Sequence, residues 1–361
     1  LLNAPLPTGT PIAIPTNVAP SPIRFTMTRH NGQRASDQIG LILPTSLCSG
    51  QVANLIALRL NKKGLGQPSA LSRFVALAHT EGCGNSAGSF EQMYARTMVG
   101  YITHPLVKHC LLLEHGCEKT HNDYMRHQVE ELGGDPSRLG YASIQLDGGI
   151  EKVAQKVEDW FTEQLAATAP TSAESVGLEG LRIGLLSDGP VSAAVAQQLA
   201  ILTKMIVGAG GLVVVPENTG LLSTPAYRDA LLPQTTVLPS LGYGEHARQN
   251  GFHMMETPTE HWVETVTGLA ATGVELVLAL VNEQPLQTHP LVPVLQMASE
   301  PAMQQRYGTD LDLLLTDDPT DWIDQILERC QQVIEHTYAP RLYQQGNIDF
   351  QFTRGLLGVT L

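Results

Sequence analysis

Cysteines recur at matching places in the first half of the chain. Cys48, Cys83 and Cys117 each come four or five residues after an apolar segment. Imidazole and carboxylate side chains share the same segments: His79, Glu81, His115, Glu118 and His121. Thiolates and imidazoles are ligands for zinc or iron, and carboxylates widen the choice of metal. The pattern therefore indicates a shared metal or catalytic site, against the alternative of polar loops whose cysteines simply pack.

The other two cysteines have a simpler interpretation. Cys110 falls inside an apolar strand and Cys330 on a predicted helix, so we expect both to be small buried hydrophobes. The sequence contains no CxxC pair, which argues against a structural zinc knuckle. Each histidine taken alone is typical of a surface or hydrogen-bonded residue. The repeated offset of the three loop cysteines is what favours a common site.

The elements that would position these loops alternate between strand and helix. Apolar segments at 39–43, 74–78, 108–113 and 141–146 each lead through a short turn into a helical pattern, and the last helix is IEKVAQKVEDWFTEQLAA. Further strands are predicted at 182–188, 210–217, 275–281 and 291–297. Alternation of this kind predicts an α/β fold with two Rossmann-like domains and mainly parallel sheets. Ligands gather at the carboxyl ends of parallel strands, where the three cysteines would converge if their strands are neighbours.

Composition divides the chain into four parts. Residues 1–23 hold six prolines and predict an extended arm, and residues 24–166 form an N-terminal α/β domain that contains the Cys/His/Glu loops. Residues 167–180 predict a linker, and 181–361 a C-terminal α/β domain. The first residue is Leu, so we expect an excised or processed fragment.

Charge and hydropathy exclude several classes of function. A formal charge of −13 and a pI near 5.3 argue against a nucleic-acid partner. The apolar runs are too short to span a membrane, and no signal peptide with a basic start is visible. An odd count of five cysteines does not suit a disulfide framework, so we expect a cytoplasmic protein.

Two arginines precede the first predicted strand in TRHNGQRASDQ. Arg29 and Arg34 can clamp a carboxylate in bidentate fashion, or can be solvated loop residues. Glycines beside Cys83 and Cys117 allow sharp turns, and the helices that follow direct their N-termini to the same edge. A small anionic substrate is therefore compatible with the acidic chain.

Several blocks, in order along residues 24–318, resemble the altronate and galactarate dehydratases, with the sulfolactate sulfo-lyase large subunit as a relative. The blocks are TRHNGQRASDQIGLILPTSLC, FVALAHTEGCG, VGYITHPLVKHCLLLEHGCEKTHND and LGYGEHARQNGFHMMETPTEHWVETVTGLAATGVELVLALVNEQP. Each block is weak alone, but their order and spacing are specific for the superfamily.

The resemblance implies a metal-dependent hydro-lyase that dehydrates a sugar acid to a 2-keto-3-deoxy acid. A base removes the α-proton, an acid assists the departing β-hydroxyl, and a metal stabilises the enediolate. The implied cofactor is Fe2+ or another divalent ion such as Mn2+, with an iron–sulfur cluster as the alternative. The implied site residues fall into three groups. The catalytic group is His79, Glu118 and His121; the metal ligands are Cys48, Cys83, Cys117 and Glu217; the substrate-binding group is Arg34, Lys119, Ser187 and Asp188.

Departures from the family pattern leave a second hypothesis open. Gly184 stands where the family has Cys, Val214 where it has Glu, and a family segment is shortened between about 220 and 240. The small N-terminal domain of single-chain members is also missing. The alternative is therefore a non-catalytic ligand-binding homologue, or the large subunit of a two-component lyase such as a sulfo-lyase. A small-domain partner subunit and a homo-oligomer are both compatible with the sequence.

Overall fold

A computed structural model describes residues 7–30, 32–83, 89–168, 171–232, 237–315 and 318–355. The glycine-rich end of HTEGCGNSAG (84–88) and residues 1–6 of the proline-rich arm lie outside this description, as do residues 233–236 of the shortened segment. The chain divides into two compact units. The N-terminal unit comprises 28–173 and 350–361, and the C-terminal unit comprises 1–27 and 174–349.

The arginine-bearing segment TRHNGQRASDQ is a hairpin rather than a loop. Strand β1 (Phe25–His30) pairs antiparallel with β2 (Gln33–Ala35), and Arg29 lies opposite Arg34 in this register. These strands were absent from the sequence prediction because the segment is polar and short. The hairpin therefore holds both arginines on regular backbone.

A parallel four-stranded sheet is the centre of the N-terminal unit. Its strands are β3 (Ile39–Pro44), β4 (Arg73–Ala76), β5 (Val107–Glu114) and β6 (Gly140–Ser143), in the order β4-β3-β5-β6. The connecting helices are α1 (Leu47–Lys63), α2 (Ser89–Ile102) and α3 (Asn122–Glu131), and α4 (Ile150–Ala167) follows β6. The central strand β3 thus has β4 and β5 as its two neighbours, and these are the three strands that precede the cysteines.

Helix boundaries follow from local chemistry. Helix α1 ends at Gly64, whose φ of 65° is the left-handed conformation that glycine adopts without a Cβ penalty. Helix α4 buries Val153, Val157 and Phe161 on one face, a spacing of about one helical turn. These residues pack into a core with apolar residues of α1, β3 and β5, including Ile56, Ile42 and Leu111. Each such buried side chain contributes roughly 2 kcal/mol of hydrophobic stabilisation.

The C-terminal unit is a doubly wound α/β sheet. Strand β7 (Ala173–Val176) joins β1 and β2 in a small sheet of order β2-β1-β7, and the larger sheet follows it in the chain. Its strands are β8 (Arg182–Ser187), β9 (Leu212–Pro216), β10 (Gly251–Met255), β11 (Leu276–Leu280), β12 (Val294–Ala298) and β13 (Leu313–Leu314). All pairings are parallel and the order is β10-β9-β8-β11-β12-β13. Numbered within the unit, this is the 3-2-1-4-5-6 order of Rossmann sheets.

Helices cover this sheet. They are α5 (Ala193–Ala209), α6 (Gly220–Ser223), α7 (Pro225–Leu231), α8 (Trp262–Ala271), α9 (Pro301–Tyr307), α10 (Trp322–Ile334) and α11 (Arg341–Gln344). The described part of the proline-rich arm lies along edge strand β10, where Ile12 N donates to Phe252 O at 2.8 Å. Ile12, Ile14 and Ile23 pack against the core of this unit. The arm thereby covers an exposed strand edge.

The fold class predicted from the sequence, an α/β protein with Rossmann-like domains and mainly parallel sheets, is confirmed. The predicted linker 167–180 contains β7 and a short 3-10 helix, Leu178–Gly180. None of the described helices is both long enough and apolar enough to cross a lipid bilayer.

Candidate functional site

Loops after β3, β4 and β5 form one polar edge of the N-terminal sheet, the cysteine rim, defined here as residues 45–48, 79–83 and 114–121. Backbone hydrogen bonds join the loops to one another: Leu47 N donates to Glu81 O at 2.7 Å, and Lys119 N donates to Cys83 O at 3.1 Å. The carboxyl ends of β3 and β5 are also the point where strand order reverses in this sheet, the usual position of a ligand site in an open α/β fold.

The rim contains three free, exposed thiols. Cys48 lies in the first turn of α1, and Cys83 and Cys117 lie in the loops after β4 and β5. The pKa of the Cys117 thiol is raised by partial desolvation and then by the charges of Glu118, Cys83 and Cys48. The negative charges around Cys117 thus oppose ionisation of its thiol, and a bound cation would favour the thiolate.

Cys110 and Cys330 are outside the rim. Both side chains are buried, and burial raises the pKa of the Cys330 thiol to about 12 and that of Cys110 further still. A neutral buried thiol behaves as a small hydrophobe. The structure agrees with the packing role expected for these two residues.

Glu118 anchors the Cys117 loop. Its Oε1 accepts from Thr45 Oγ1 (2.7 Å), Ser46 Oγ (3.1 Å) and the His115 amide (2.8 Å). Its Oε2 accepts from the amides of Gly116 (2.8 Å) and Cys117 (3.0 Å). Burial alone would raise the pKa of this carboxyl, but the hydrogen bonds outweigh burial and lower the pKa to about 2. The carboxylate is therefore ionised and saturated with donors.

His79 is buried behind the rim. Its Nε2 donates to Pro44 O at 3.1 Å, and its Nδ1 accepts from the Glu81 amide at 3.2 Å. Burial lowers the pKa of this imidazole to about 4. Both ring nitrogens are occupied and the ring is neutral, so His79 joins the ends of β3 and β4. In this geometry the ring presents no nitrogen to a metal or substrate.

A C-terminal segment packs beside His79 within the same unit. The Phe352 ring lies edge-on to His79 with centroids 4.9 Å apart, and Tyr94 is 5.0 Å from Phe352. Arg354 Nε lies 3.3 Å from Glu81 Oε1. The cation beside the rim therefore comes from a residue far away in sequence, which no local motif could indicate.

His121 begins α3 and keeps one nitrogen available at the surface. Its Nδ1 accepts from the Tyr124 amide at 3.3 Å, which fixes the proton of the neutral ring on Nε2. His121 lines a cavity of about 390 Å³ beside the rim, together with Arg126 and Lys156. Asn122 also lines this cavity, and its buried Oδ1 has no hydrogen-bond partner among the described residues. Asn122, Arg126 and Lys156 were missed from sequence because each is an ordinary helix residue.

One set of three ligand atoms in the described part of the chain lies within 4.8 Å: those of His115, Cys117 and Glu118. His115 Nδ1 is 3.4 Å from Cys117 Sγ and 3.3 Å from Gln145 Nε2. Because Glu118 already accepts five hydrogen bonds, the two members of this set with atoms left for a ligand are His115 and Cys117. The three cysteine sulfurs are spread more widely than this set.

The two predicted carboxylate binders of this unit differ in position. Lys119 is exposed in the loop between Cys117 and His121, beside the thiols. Arg34 lies on β2, and its cross-strand neighbour Arg29 lines a different cavity, at the amino ends of the strands. Lys119 is therefore the cation of this pair that the structure puts in the rim.

Ser187, Asp188 and Glu217 belong to the C-terminal unit. Asp188 follows β8 at the reversal point of that sheet, and its carboxylate accepts from the Asn282 amide at 3.0 and 3.1 Å. Ser187 Oγ is buried and has no hydrogen-bond partner within the described ranges. Glu217 is exposed after β9, and its Oε1 accepts from the Thr257 amide at 2.8 Å.

Gly184 and Val214, the two departures from the family pattern, are register partners in the middle of β8 and β9. Val214 is fully buried, and a Cβ at Gly184 would lie 2.9 Å from Leu269 Cδ2. A side chain at position 184 would therefore collide with the core instead of reaching the end of the strand. Glycine here serves close helix–strand packing.

The match to a family model falls within the N-terminal unit. Residues 28–169 match the family model described as D-galactarate dehydratase/altronate hydrolase, second domain. No curated protein sequence matches the chain. A solved structure, the nickel-free carbon monoxide dehydrogenase of Thermococcus sp. AM4, aligns with 88% of this chain and 61% of its own length, at 8% identity and a TM-score of 0.22. The chain thus spans less than two thirds of that protein, and a likeness this slight supports no argument.

Proposed function

Because residues 28–169 belong to the D-galactarate dehydratase/altronate hydrolase second-domain family, we propose that the chain is a metal-dependent lyase acting on a sugar acid. It would remove water from a polyhydroxy carboxylate and yield a 2-keto-3-deoxy acid. The observation that carries this proposal is the cysteine rim, where three free thiols follow the carboxyl ends of three neighbouring strands.

The donor set at the rim fits a thiophilic metal. Cys48, Cys83 and Cys117 would hold iron, since thiolates suit Fe2+ and iron–sulfur centres better than they suit magnesium or calcium. When bound, the metal supplies positive charge that stabilises the enediolate formed as the α-proton leaves. Mn2+ is a weaker match to three sulfurs.

An iron–sulfur cluster is the alternative to a single bound ion at the three cysteines. Metal–sulfur bonds of about 2.3 Å would put thiolates on one ion roughly 4 Å apart. The three rim cysteines are not within 4.8 Å of one another, whereas His115, Cys117 and Glu118 are.

Two histidines of the rim are proposed to transfer protons, and two other rim residues hold the loops in position. His115 Nδ1 accepts from Gln145 Nε2 at 3.3 Å and lies 3.4 Å from the Cys117 sulfur, so this nitrogen is the acceptor of the neutral ring and would take the α-proton. His121 holds its proton on Nε2 and donates it to the departing hydroxyl. Glu118 and His79 are positioning residues, because their hydrogen-bonding atoms are committed to the loops.

The substrate carboxylate is assigned to the cations at the rim and in the adjoining cavity. Lys119 and Arg126 are the candidates, since both flank His121 in sequence and Arg126 lines the cavity of about 390 Å³. In the C-terminal unit, Ser187 and Asp188 are proposed as substrate-binding residues and Glu217 as a metal ligand. A small-domain partner subunit or a second copy of the chain is proposed as the partner.

The compartment proposed for this reaction is the reducing cytoplasm. All five cysteines are free in the structure, and reduced thiols are what an iron site of this type requires.

The test is anaerobic reconstitution with Fe(II), followed by incubation with aldonates, aldarates and sulfolactate. Keto-acid formation from at least one sugar acid is expected, and Cys117→Ala should lower it about a thousandfold. Cys330→Ala is the matched control, since it removes a buried thiol outside the rim. Failure of every substrate with the iron-loaded protein would favour the non-catalytic homologue instead. Product from sulfolactate alone would identify a sulfo-lyase.

A further inference from the structure

A short segment near the end of the described chain lies against the cysteine rim. It comprises residues 350–355 and is called here the C-terminal strap. Its sequence FQFTRG alternates aromatic and polar side chains, a pattern typical of an extended segment that buries one face. None of the described helices and strands includes it, yet Phe350 and Phe352 are each 3% exposed. The strap belongs to the N-terminal unit and is held there by its side chains.

Two tyrosines of helix α2 receive the aromatic side chains of the strap. The Phe350 ring lies edge-on to Tyr101 with centroids 5.3 Å apart, and the centroids of Phe352 and Tyr94 are 5.0 Å apart. Phe350 and Phe352 also pack on each other, with centroids 5.2 Å apart. Aromatic pairs at these distances attract each other in addition to the effect of the area they bury. The strap is therefore fixed to the helix that follows the β4 loop in the chain.

Three consecutive residues of the β4 loop contact the strap. The contacts are an aromatic pair, a hydrogen bond and an ion pair: His79 with Phe352 (ring centroids 4.9 Å apart), Thr80 Oγ1 with Gln351 Oε1 (2.7 Å) and Glu81 Oε1 with Arg354 Nε (3.3 Å). These contacts fall on a run of loop residues without a gap. The strap therefore constrains the loop along its length and not at a single point.

The ion pair is the contact that a single substitution can test. The side chain of Glu81 is 2% exposed, whereas that of Arg354 is 44% exposed. An ion pair between two exposed side chains contributes little to stability. A carboxylate buried as deeply as that of Glu81 is costly to leave with fewer partners. Arg354 thus acts on the rim through Glu81.

The backbone of the β4 loop carries the hydrogen bonds that join the three loops of the rim. Leu47 N donates to Glu81 O at 2.7 Å, and Lys119 N donates to Cys83 O at 3.1 Å. Cys83 lies only two residues after Glu81. A shift of the loop at Glu81 would therefore disturb the other two cysteine loops as well.

We propose that the C-terminal strap is the positioning element of the cysteine rim, with Arg354 as the positioning residue that holds Glu81 and the loop of Cys83. The three loops keep their arrangement only while the strap is seated. Metal retention depends on the strap if the rim is the metal site of the proposed function, whereas the hold of the strap on the loops requires no metal.

Amide hydrogen exchange of the metal-free full chain, resolved by peptide mass spectrometry, tests this hold. Arg354→Gln should raise the exchange rate of the Leu47 and Lys119 amides about tenfold, because their acceptors belong to the loop that the strap holds. Arg354→Lys keeps a cation for Glu81 and should exchange within about twofold of the wild type.

Two further variants separate a local effect from general unfolding. Arg59→Gln removes an arginine of α1 that pairs with Glu151 and Glu158, and it should leave exchange at the rim unchanged. Phe352→Ala removes the aromatic anchor of the strap and should raise exchange at the rim more than Arg354→Gln does. If Phe352→Ala fails to fold, Arg354→Gln still reports, because the Arg354 side chain is exposed.

Iron binding after anaerobic loading, measured in competition with a chelator, gives the second readout. Arg354→Gln should bind iron about tenfold more weakly than the wild type, and Arg354→Lys should recover most of this loss. Exchange at the rim that is the same in Arg354→Gln as in the wild type, or that rises equally in Arg59→Gln, would overturn the proposal. Unchanged iron binding in Arg354→Gln would overturn the link between strap and metal. Wild-type protein that binds no iron would contradict the proposed function, and the exchange rates would still decide the role of the strap.

Discussion

The two units present carboxyl-end loops of similar topology with different chemistry. At the rim of the N-terminal unit, Glu118 accepts five hydrogen bonds. Burial raises the pKa of this carboxyl, but the hydrogen bonds have the larger effect and lower the pKa to about 2. At the reversal point of the C-terminal unit, burial raises the pKa of Asp188, whose carboxylate accepts mainly from Asn282. The carboxylate at the first edge holds the loops that carry the thiols, whereas the carboxylate at the second edge holds one loop through a backbone amide. Two sheets of similar topology can therefore carry different side-chain chemistry at their carboxyl ends.

The largest expected effect is on the rate of keto-acid formation, which should depend much more on the N-terminal unit than on the C-terminal unit. Cys117→Ala removes a proposed metal ligand, so we expect keto-acid formation to fall about a thousandfold, or roughly 4 kcal/mol in activation free energy. Ser187→Ala in the C-terminal unit should cost less than about tenfold. Steady-state kinetics of both variants measure this. Equal losses would mean that the C-terminal unit shares the chemistry.

The next effect concerns the buried imidazole at the rim. The pKa of His79 is about 4 in the folded protein, against 6.5 for the ordinary group. The unfolded chain therefore binds a proton here more readily than the folded protein does. The contribution of His79 to the free energy of unfolding is complete above pH 6.5 and is lost as the pH falls toward 4. For metal-free protein the loss should be about 3 kcal/mol between pH 7 and pH 4. Denaturant titrations measure it, and His79→Gln should reduce the loss by about this amount, while the buried His109 and His289 keep their contributions.

His127→Gln is the control for that experiment, because His127 is an exposed histidine on α3. It should retain the wild-type dependence of unfolding free energy on pH. A His79→Gln protein whose stability falls as steeply as that of the wild type would contradict the role assigned to burial.

Replacing the Glu118 carboxylate should cause a smaller loss in the free energy of unfolding. Glu118→Gln replaces one acceptor oxygen by an amide that cannot accept from the Gly116 and Cys117 amides, so the free energy of unfolding should fall by about 2 kcal/mol. Glu217→Gln in the C-terminal unit alters an exposed group with one backbone donor and should cost less than about 1 kcal/mol. Guanidinium denaturation gives the free energy of unfolding of both variants. A larger loss in Glu217→Gln than in Glu118→Gln would refute the difference between the two edges.

The smallest effect belongs to Asp188. Asp188→Asn keeps one oxygen to accept from the Asn282 amide and removes a charge that burial disfavours, so stability should change by less than about 1 kcal/mol. Thermal unfolding near neutral pH gives the measurement. A loss comparable to that of Glu118→Gln would show that the two edges are equivalent.

Sequence reasoning reached the fold because apolar runs of strand length alternate with helical patterns. IEKVAQKVEDWFTEQLAA coincides with α4, and the segments that precede the cysteines are β3, β4 and β5. Strands β1, β2 and β10 were missed because they are polar, short or mixed in composition. Their backbone pairing depends on neighbours distant in sequence, which local patterns do not encode.

The site was only partly accessible from sequence. The repeated offset of Cys48, Cys83 and Cys117 indicated the rim, since parallel strands bring their carboxyl ends together. Sequence could not reveal that Glu118 and His79 are saturated with hydrogen bonds, because their partners include Thr45 and Pro44 from another loop. Arg354 was equally hidden, since only folding brings the C-terminal segment beside Glu81.

Iron bound per chain, measured in anaerobically purified protein together with its visible absorption spectrum, tests whether the cysteine rim is a metal site. We expect iron in the wild type and in Cys330→Ala, and its loss in Cys48→Ala, Cys83→Ala and Cys117→Ala. A brown protein with several irons would identify the cluster, and a colourless protein with one iron would identify the single ion. Wild-type protein that binds no iron, or rim variants that retain it, would show that the rim is not a metal site.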